Sequence, residues 1–157
     1  MAQLDSAPFP IRLALLVVLA ALVISVLTDL RRRVILNQVT LPALALVLIS
    51  FGASGGWPLL HSCLIGMAIC AVPLLLAALP GWIGMGDVKL IAVCGAAAGF
   101  PAAVTVLLLV SVAGGLQAAL QLVWARARGR ERPRYVPYAC SIAAGTVAAF
   151  LLGGPLP

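Results

Sequence analysis

Two acidic residues, Asp29 and Asp87, stand where a carboxylate is hard to keep, each at the border of a long apolar run. An ionisable group at membrane depth is costly enough to be a functional candidate by default. Two carboxylates brought together share a proton, because like charges at close range cannot both ionise cheaply. One can then take a proton from water while its protonated partner polarises a carbonyl, which amounts to hydrolysis of a peptide bond. Asp87, at the N-terminal end of an expected helix with Lys89 nearby, reads as the more readily ionised member, and Asp29, at the C-terminal end of another, as the holder of the shared proton. Asp5 and Glu131, the remaining acids, read as solvated charges in a terminal tail and an arginine-rich loop.

Each aspartate also has a plain reading. Asp29 can close the first apolar segment, paired with Arg32 or Arg33 at helical spacing, and Asp87 can be the N-cap of a helix. Those readings account less well for the glycines in Gly84-Met85-Gly86-Asp87-Val88-Lys89-Leu90, which allow close approach by another stretch of chain.

Other chemistries lack their parts. Cys63, Cys70, Cys94 and Cys140 show no C-x-x-C spacing and read as small buried hydrophobes rather than metal ligands or a redox pair. His61 has no partner in prospect, and serines 25, 50, 54, 62, 111 and 141 have no histidine on their side of the expected membrane. No metal and no cofactor is expected.

The elements that must hold the aspartates are membrane helices. Of 157 residues, 64% are hydrophobic and 9% charged, against about 25% charged in an ordinary soluble domain. Mean hydropathy is +1.19, so lipid is the natural solvent for most of this surface, and disorder is excluded by the same richness in apolar residues. The length suits one domain, residues 1–157. About 20 apolar residues cross a hydrocarbon core, and six spans are expected in an all-α, polytopic fold. They run from Ile11 to Thr28, from Leu41 into Gly52 to Gly56, and from Leu59 to Leu79. The last three run from Val88 to Phe100, from Pro101 to Trp124, and from Pro137 to Leu152. The second and fourth are short or recessed, and Pro42 suits a first helical turn. Charge follows the first apolar run rather than preceding it, which reads as a retained anchor and not a signal peptide.

Basic residues concentrate in cytoplasmic loops. Alternating helices place Arg31 to Arg33, Lys89 and the five arginines from Arg126 to Arg134 on one side, with both termini outside. Both aspartates then lie at the cytoplasmic face of the inner membrane. The net charge of +6 reflects this topology, and no nucleic-acid partner is expected.

The segment Gly84 to Ala92 with Gly95 and Gly99, together with Asp29, Arg31 to Arg33, Val34-Ile35-Leu36-Asn37 and Thr40, resembles the type IV prepilin peptidases, aspartic proteases of the G-x-G-D class. Val136-Pro137-Tyr138-Ala139 is similar to the start of that family's final span. The resemblance covers nearly the whole chain. It implies catalytic roles for Asp29 and Asp87, with Gly84, Gly86, Lys89 and Asn37 as supporting motif residues. Leu36 departs from the family, which usually has proline before the asparagine. The chain looks like the short, peptidase-only form found with Flp/Tad-type pilus systems, without the paired cysteines that accompany N-methylation. The resemblance implies a prepilin or pilin-like substrate held in the bilayer, cut after a short basic leader. Two other classes fit the residues less well: a small proton-coupled transporter, and a structural membrane subunit whose basic face binds anionic lipid. Neither the leader-reading residues nor the oligomeric state is legible.

Overall fold

A computed structural model describes residues 8–81, 83–129 and 138–152. Asp5, Glu131, Arg130, Arg132, Arg134 and the Val136-Pro137 pair lie outside the described residues. Among the described residues the chain is all-helical: α1 (Phe9–Arg32), α2 (Asn37–Ala78), α3 (Met85–Ala98), α4 (Ala102–Ala127) and α5 (Tyr138–Leu151). Helices α1, α2 and α4 are long and apolar enough to cross a membrane.

In α1 the buried residues are Ile11, Ala14, Leu15, Val18, Ala21, Leu22, Ser25 and Asp29. Steps of three and four keep them on one face of a helix, and Asp29 is the last of that row. Leu16, Val23, Leu27 and Leu30 point outward and are exposed, as lipid-facing residues would be. The helix continues past the expected end at Thr28 to Arg32. Arg31 and Arg32 therefore lie in its last turn, where cations complement the helix dipole, rather than in a loop.

Helix α2 holds two of the expected spans. Gly56, at φ 63 and ψ −152, breaks it sharply enough that a Cβ on Gly52 would touch Leu60. The first arm begins at Asn37 instead of Leu41, so it is about 28 Å long at 1.5 Å per residue. It is not the short helix that the sequence suggests, because the turn from Asn37 to Thr40 is helical too. Pro42 consequently lies inside the helix and not in its first turn.

The second arm of α2 packs antiparallel on α3. A Cβ on Gly66 would collide with the Gly95 carbonyl oxygen, and one on Gly95 would lie 2.5 Å from the Gly66 oxygen. Only glycine permits this approach, the close-packing device of helices in lipid. Farther along, the Phe100 N–H donates to Ser62.

Helix α3 is the centre of the bundle. It has 14 residues, of which only Met85, Gly86 and Lys89 are not buried. At about 21 Å it is shorter than a bilayer core of about 30 Å. It survives because α1, α2, α4 and α5 all touch it. On its far side α4 and α5 cross closely, where a Cβ on Gly145 would strike the Val110 backbone at 2.5 Å. Ser141 donates a hydrogen bond to Gln117 across the same interface.

Gly66→Ala and Gly95→Ala should each lower stability by about 1–3 kcal/mol through overpacking. Gly115, whose Cβ would meet nothing within 4 Å, should tolerate alanine without loss. Thermal unfolding in detergent measures the contrast.

Candidate active site

The first candidate side chain is placed by the row of buried residues on α1, which ends at Asp29, 1% exposed. The chain then turns at Arg33, whose φ of 56 and ψ of 35 are left-handed and whose N–H donates to the Asp29 carbonyl at 2.9 Å. Val34 to Leu36 carry the chain outside any helix into α2. Leu36 adopts φ −80 and ψ 123 as the N-cap of α2. That is close to the φ of about −65° that proline fixes, so the departure from the family's proline leaves the extended backbone intact.

The second is placed by the start of α3. Gly84 is the N-cap, and Asp87 is the third residue of the helix rather than its cap. Its carboxylate reaches back to a backbone hydrogen bond with Gly84, the return half of a capping box. A Cβ on Gly84 would stand 3.2 Å from Asp87 Oδ2. The other oxygen, Oδ1, is buried with no hydrogen-bond partner, and the residue is 6% exposed.

These two segments meet. Asp29, Arg33, Val34, Ile35, Gly84, Gly86 and Asp87 line a cleft of about 210 Å³, and the two carboxylates are within electrostatic reach of each other. What lets them approach is Gly86, where a Cβ would lie 2.8 Å from the Cβ of Ile35. Real Cβ atoms do not come so close, so any larger residue at 86 separates the link from α3 and widens the gap between the aspartates. Lys89 Nζ donates to Asn37 Oδ1 at 2.8 Å beside this apposition.

Of the residues singled out by sequence, Asp29, Asp87, Gly84 and Gly86 line one cleft, and Lys89 and Asn37 join at its edge. Ile35, Val34 and Arg33 were missed as cleft residues. Ser25, 1% exposed and with no partner for its Oγ, lies one helical turn before Asp29 on the same buried face but does not line the cleft. The period of the α1 row was the available signal for Ser25. Ile35 is marked only as part of the Val34-Ile35-Leu36-Asn37 run, because its role comes from an encounter distant in sequence. Cys63, Cys70 and Cys94 are buried free thiols, in keeping with a packing role. His61 sits beside Trp57 near the break in α2, away from the cleft.

The course of the helices collects the C-termini of α1 and α4 and the N-termini of α2, α3 and α5 at the cleft end. Arg31, Arg32, Arg33, Lys89, Arg126 and Arg128 belong to that end, and Arg12 to the other. Three helices long and apolar enough to cross a membrane make this a membrane protein, with a buried pair of acids at the basic end of the bundle. The family model described as the type IV leader peptidase family matches residues 16–119, which include both aspartates, Asn37 and Lys89. The chain belongs to that family, and it is a peptidase. No curated protein and no solved structure matches it.

Gly86→Ala is expected to reduce leader cleavage at least tenfold. Ile35→Gly, which removes the colliding carbon, should restore part of the loss in the double variant. Cleavage rates of the two single variants and the double variant test the steric account.

Proposed function

We propose that Asp29 and Asp87 are the catalytic dyad of an aspartic endopeptidase that removes the short basic leader from Flp-like prepilins. The observation that carries this reading is the cleft shared by two nearly inaccessible carboxylates from segments far apart in sequence. Burying a carboxylate is unfavourable unless something compensates, and two side by side make the expense larger. A stable fold has no use for such an arrangement, whereas acid–base hydrolysis does.

In the reaction, the ionised member of the pair takes a proton from a water in the cleft as that water attacks the scissile carbonyl. The protonated member donates to the carbonyl oxygen as it becomes tetrahedral. As the intermediate collapses, the second carboxylate takes back the proton from the gem-diol hydroxyl so that the carbonyl re-forms, the C–N bond breaks, and the amine leaves with the proton held by the first carboxyl group. The pair ends with one proton, as it began. No metal takes part in these steps.

The arms of α2 count as two spans, so the five helices supply six membrane segments, with α3 recessed among the others. The excess of arginine and lysine at the cleft end supports a cytoplasmic position for that end, with both termini outside. The leader then approaches from the cytoplasm of the inner membrane while the pilin's apolar segment stays in lipid.

Asp29→Asn and Asp87→Asn should each lower prepilin cleavage by about 10²- to 10⁴-fold or more. Their thermal midpoints should stay the same or rise, because each removes one carboxyl group from a crowded buried pair. Asp5→Asn and Glu131→Gln should remain active, and a chelator should leave cleavage unaffected. Sequencing the new N-terminus of the pilin identifies the bond cut; substantial processing by either Asn variant would falsify the dyad.

A further inference from the structure

We propose that Lys89 is a positioning residue, tied to Asn37 so that the first turn of α2 and the start of α3 hold the two aspartates at a fixed separation. The proposal rests on the dyad reading above. Its first support is the hydrogen bond itself, 2.8 Å from Lys89 Nζ to Asn37 Oδ1. Asn37 is the first residue of α2, directly after the link from Asp29, and Lys89 follows Asp87 by two positions in α3.

Residues two apart on a helix do not share a face. Asp87 turns into the cleft and Lys89 turns away toward α2, so the ammonium is directed to the amide and not to the neighbouring carboxylate. This separates two roles for the same lysine. A counter-charge would act on the protonation of the dyad, and a tie acts on its geometry.

The link between the helices explains why a tie is needed. Val34 and Ile35 lie outside any helix, yet they form one wall of the cleft. Two interactions fix that wall against α3. One is the tight apposition of Ile35 and Gly86, and the other is the Asn37–Lys89 bond. They fall on either side of Asp87 in sequence, one residue before it and two after. The acceptor also suits the place: an amide oxygen receives the lysine without adding a third negative charge beside two carboxylates.

The test measures kcat and KM for prepilin cleavage in proteoliposomes, over a range of pH. The variants are Lys89→Met, Lys89→Asn, Lys89→Arg, Asn37→Ala, the Asn37→Ala/Lys89→Met double variant and the exchange Asn37→Lys/Lys89→Asn. Breaking one charge-assisted bond should lower kcat about tenfold, with KM within about twofold and the pH profile unmoved. The double variant should be no worse than either single one, and Lys89→Arg should keep most of the rate. The exchange should recover most of what Lys89→Asn loses, because donor and acceptor are restored in reverse. A shifted pH profile in Lys89→Met, multiplying losses in the double variant, or an exchange no better than Lys89→Asn would each overturn the tie.

A second readout needs no cleavage. Val34 and Met85 flank the cleft and are 50% and 52% exposed, so nitroxide labels on cysteines placed there, in a Cys140→Ser background, report the spacing of the two segments. The distance distribution should be narrow with the tie present, broader in Lys89→Met and Asn37→Ala, and narrow again in the exchange. Unchanged distributions in the single variants would refute the tie whatever the activity. A wild-type protein that fails to cut prepilin would count against the dyad and leave the spin-label result standing.

Discussion

The arrangement turns on keeping two carboxylates adjacent and almost out of water. Neither Asp29 nor Asp87 exceeds 6% exposure, and in low dielectric two ionised carboxylates would repel so strongly that such a pair keeps one proton between its members. A fold tolerates this only if the elements carrying them cannot relax apart. The buried row of α1 drives Asp29 inward, since turning it out would turn Ser25, Leu22 and Val18 out with it. Asp87 is held by a helix with neighbours on every side. The pair persists because hydrophobic and steric packing outweighs the cost of taking both carboxyl groups out of water.

Small residues transmit that constraint. At Gly66 and Gly95 backbones touch, which seats α3 deep in the bundle. At Gly86 the same device operates in the cleft wall, where the absent Cβ leaves room for Ile35. Glycine in a helix costs up to about 1 kcal/mol relative to alanine. At these three positions the close approach of neighbouring segments offsets that cost. The short α3 follows from the same design: surrounded by helices rather than lipid, it need not span the bilayer by itself, and its first turn is free to lie at the level of the cleft.

The two acids were legible in the sequence because a carboxylate beside an apolar run is conspicuous, and the flanking glycines singled out Asp87. The helical class and the concentration of basic residues were legible for a related reason, since both follow from composition along a single run. What escaped was set by packing between runs. Helix α1 extends through Asp29 because its buried face continues there, and α2 starts at Asn37 rather than at the more apolar Leu41. Asp87 is three residues past its cap, a distinction that a capping preference alone does not draw. Ile35 looks like any other apolar residue until Gly86 is placed against it. Lys89 and Asn37 were noted as motif residues, but their bond joins positions that no local pattern relates.

The central claim, that the two aspartates are close neighbours in the membrane-embedded protein, is most directly tested by replacing both with cysteine in a Cys140→Ser background. Treatment of native membranes with an oxidant, or with a short bifunctional thiol reagent, should join residues 29 and 87 within one chain, as peptide mapping would reveal. Cysteines that stay unlinked under both treatments, while each reacts singly with a small thiol reagent, would contradict the account.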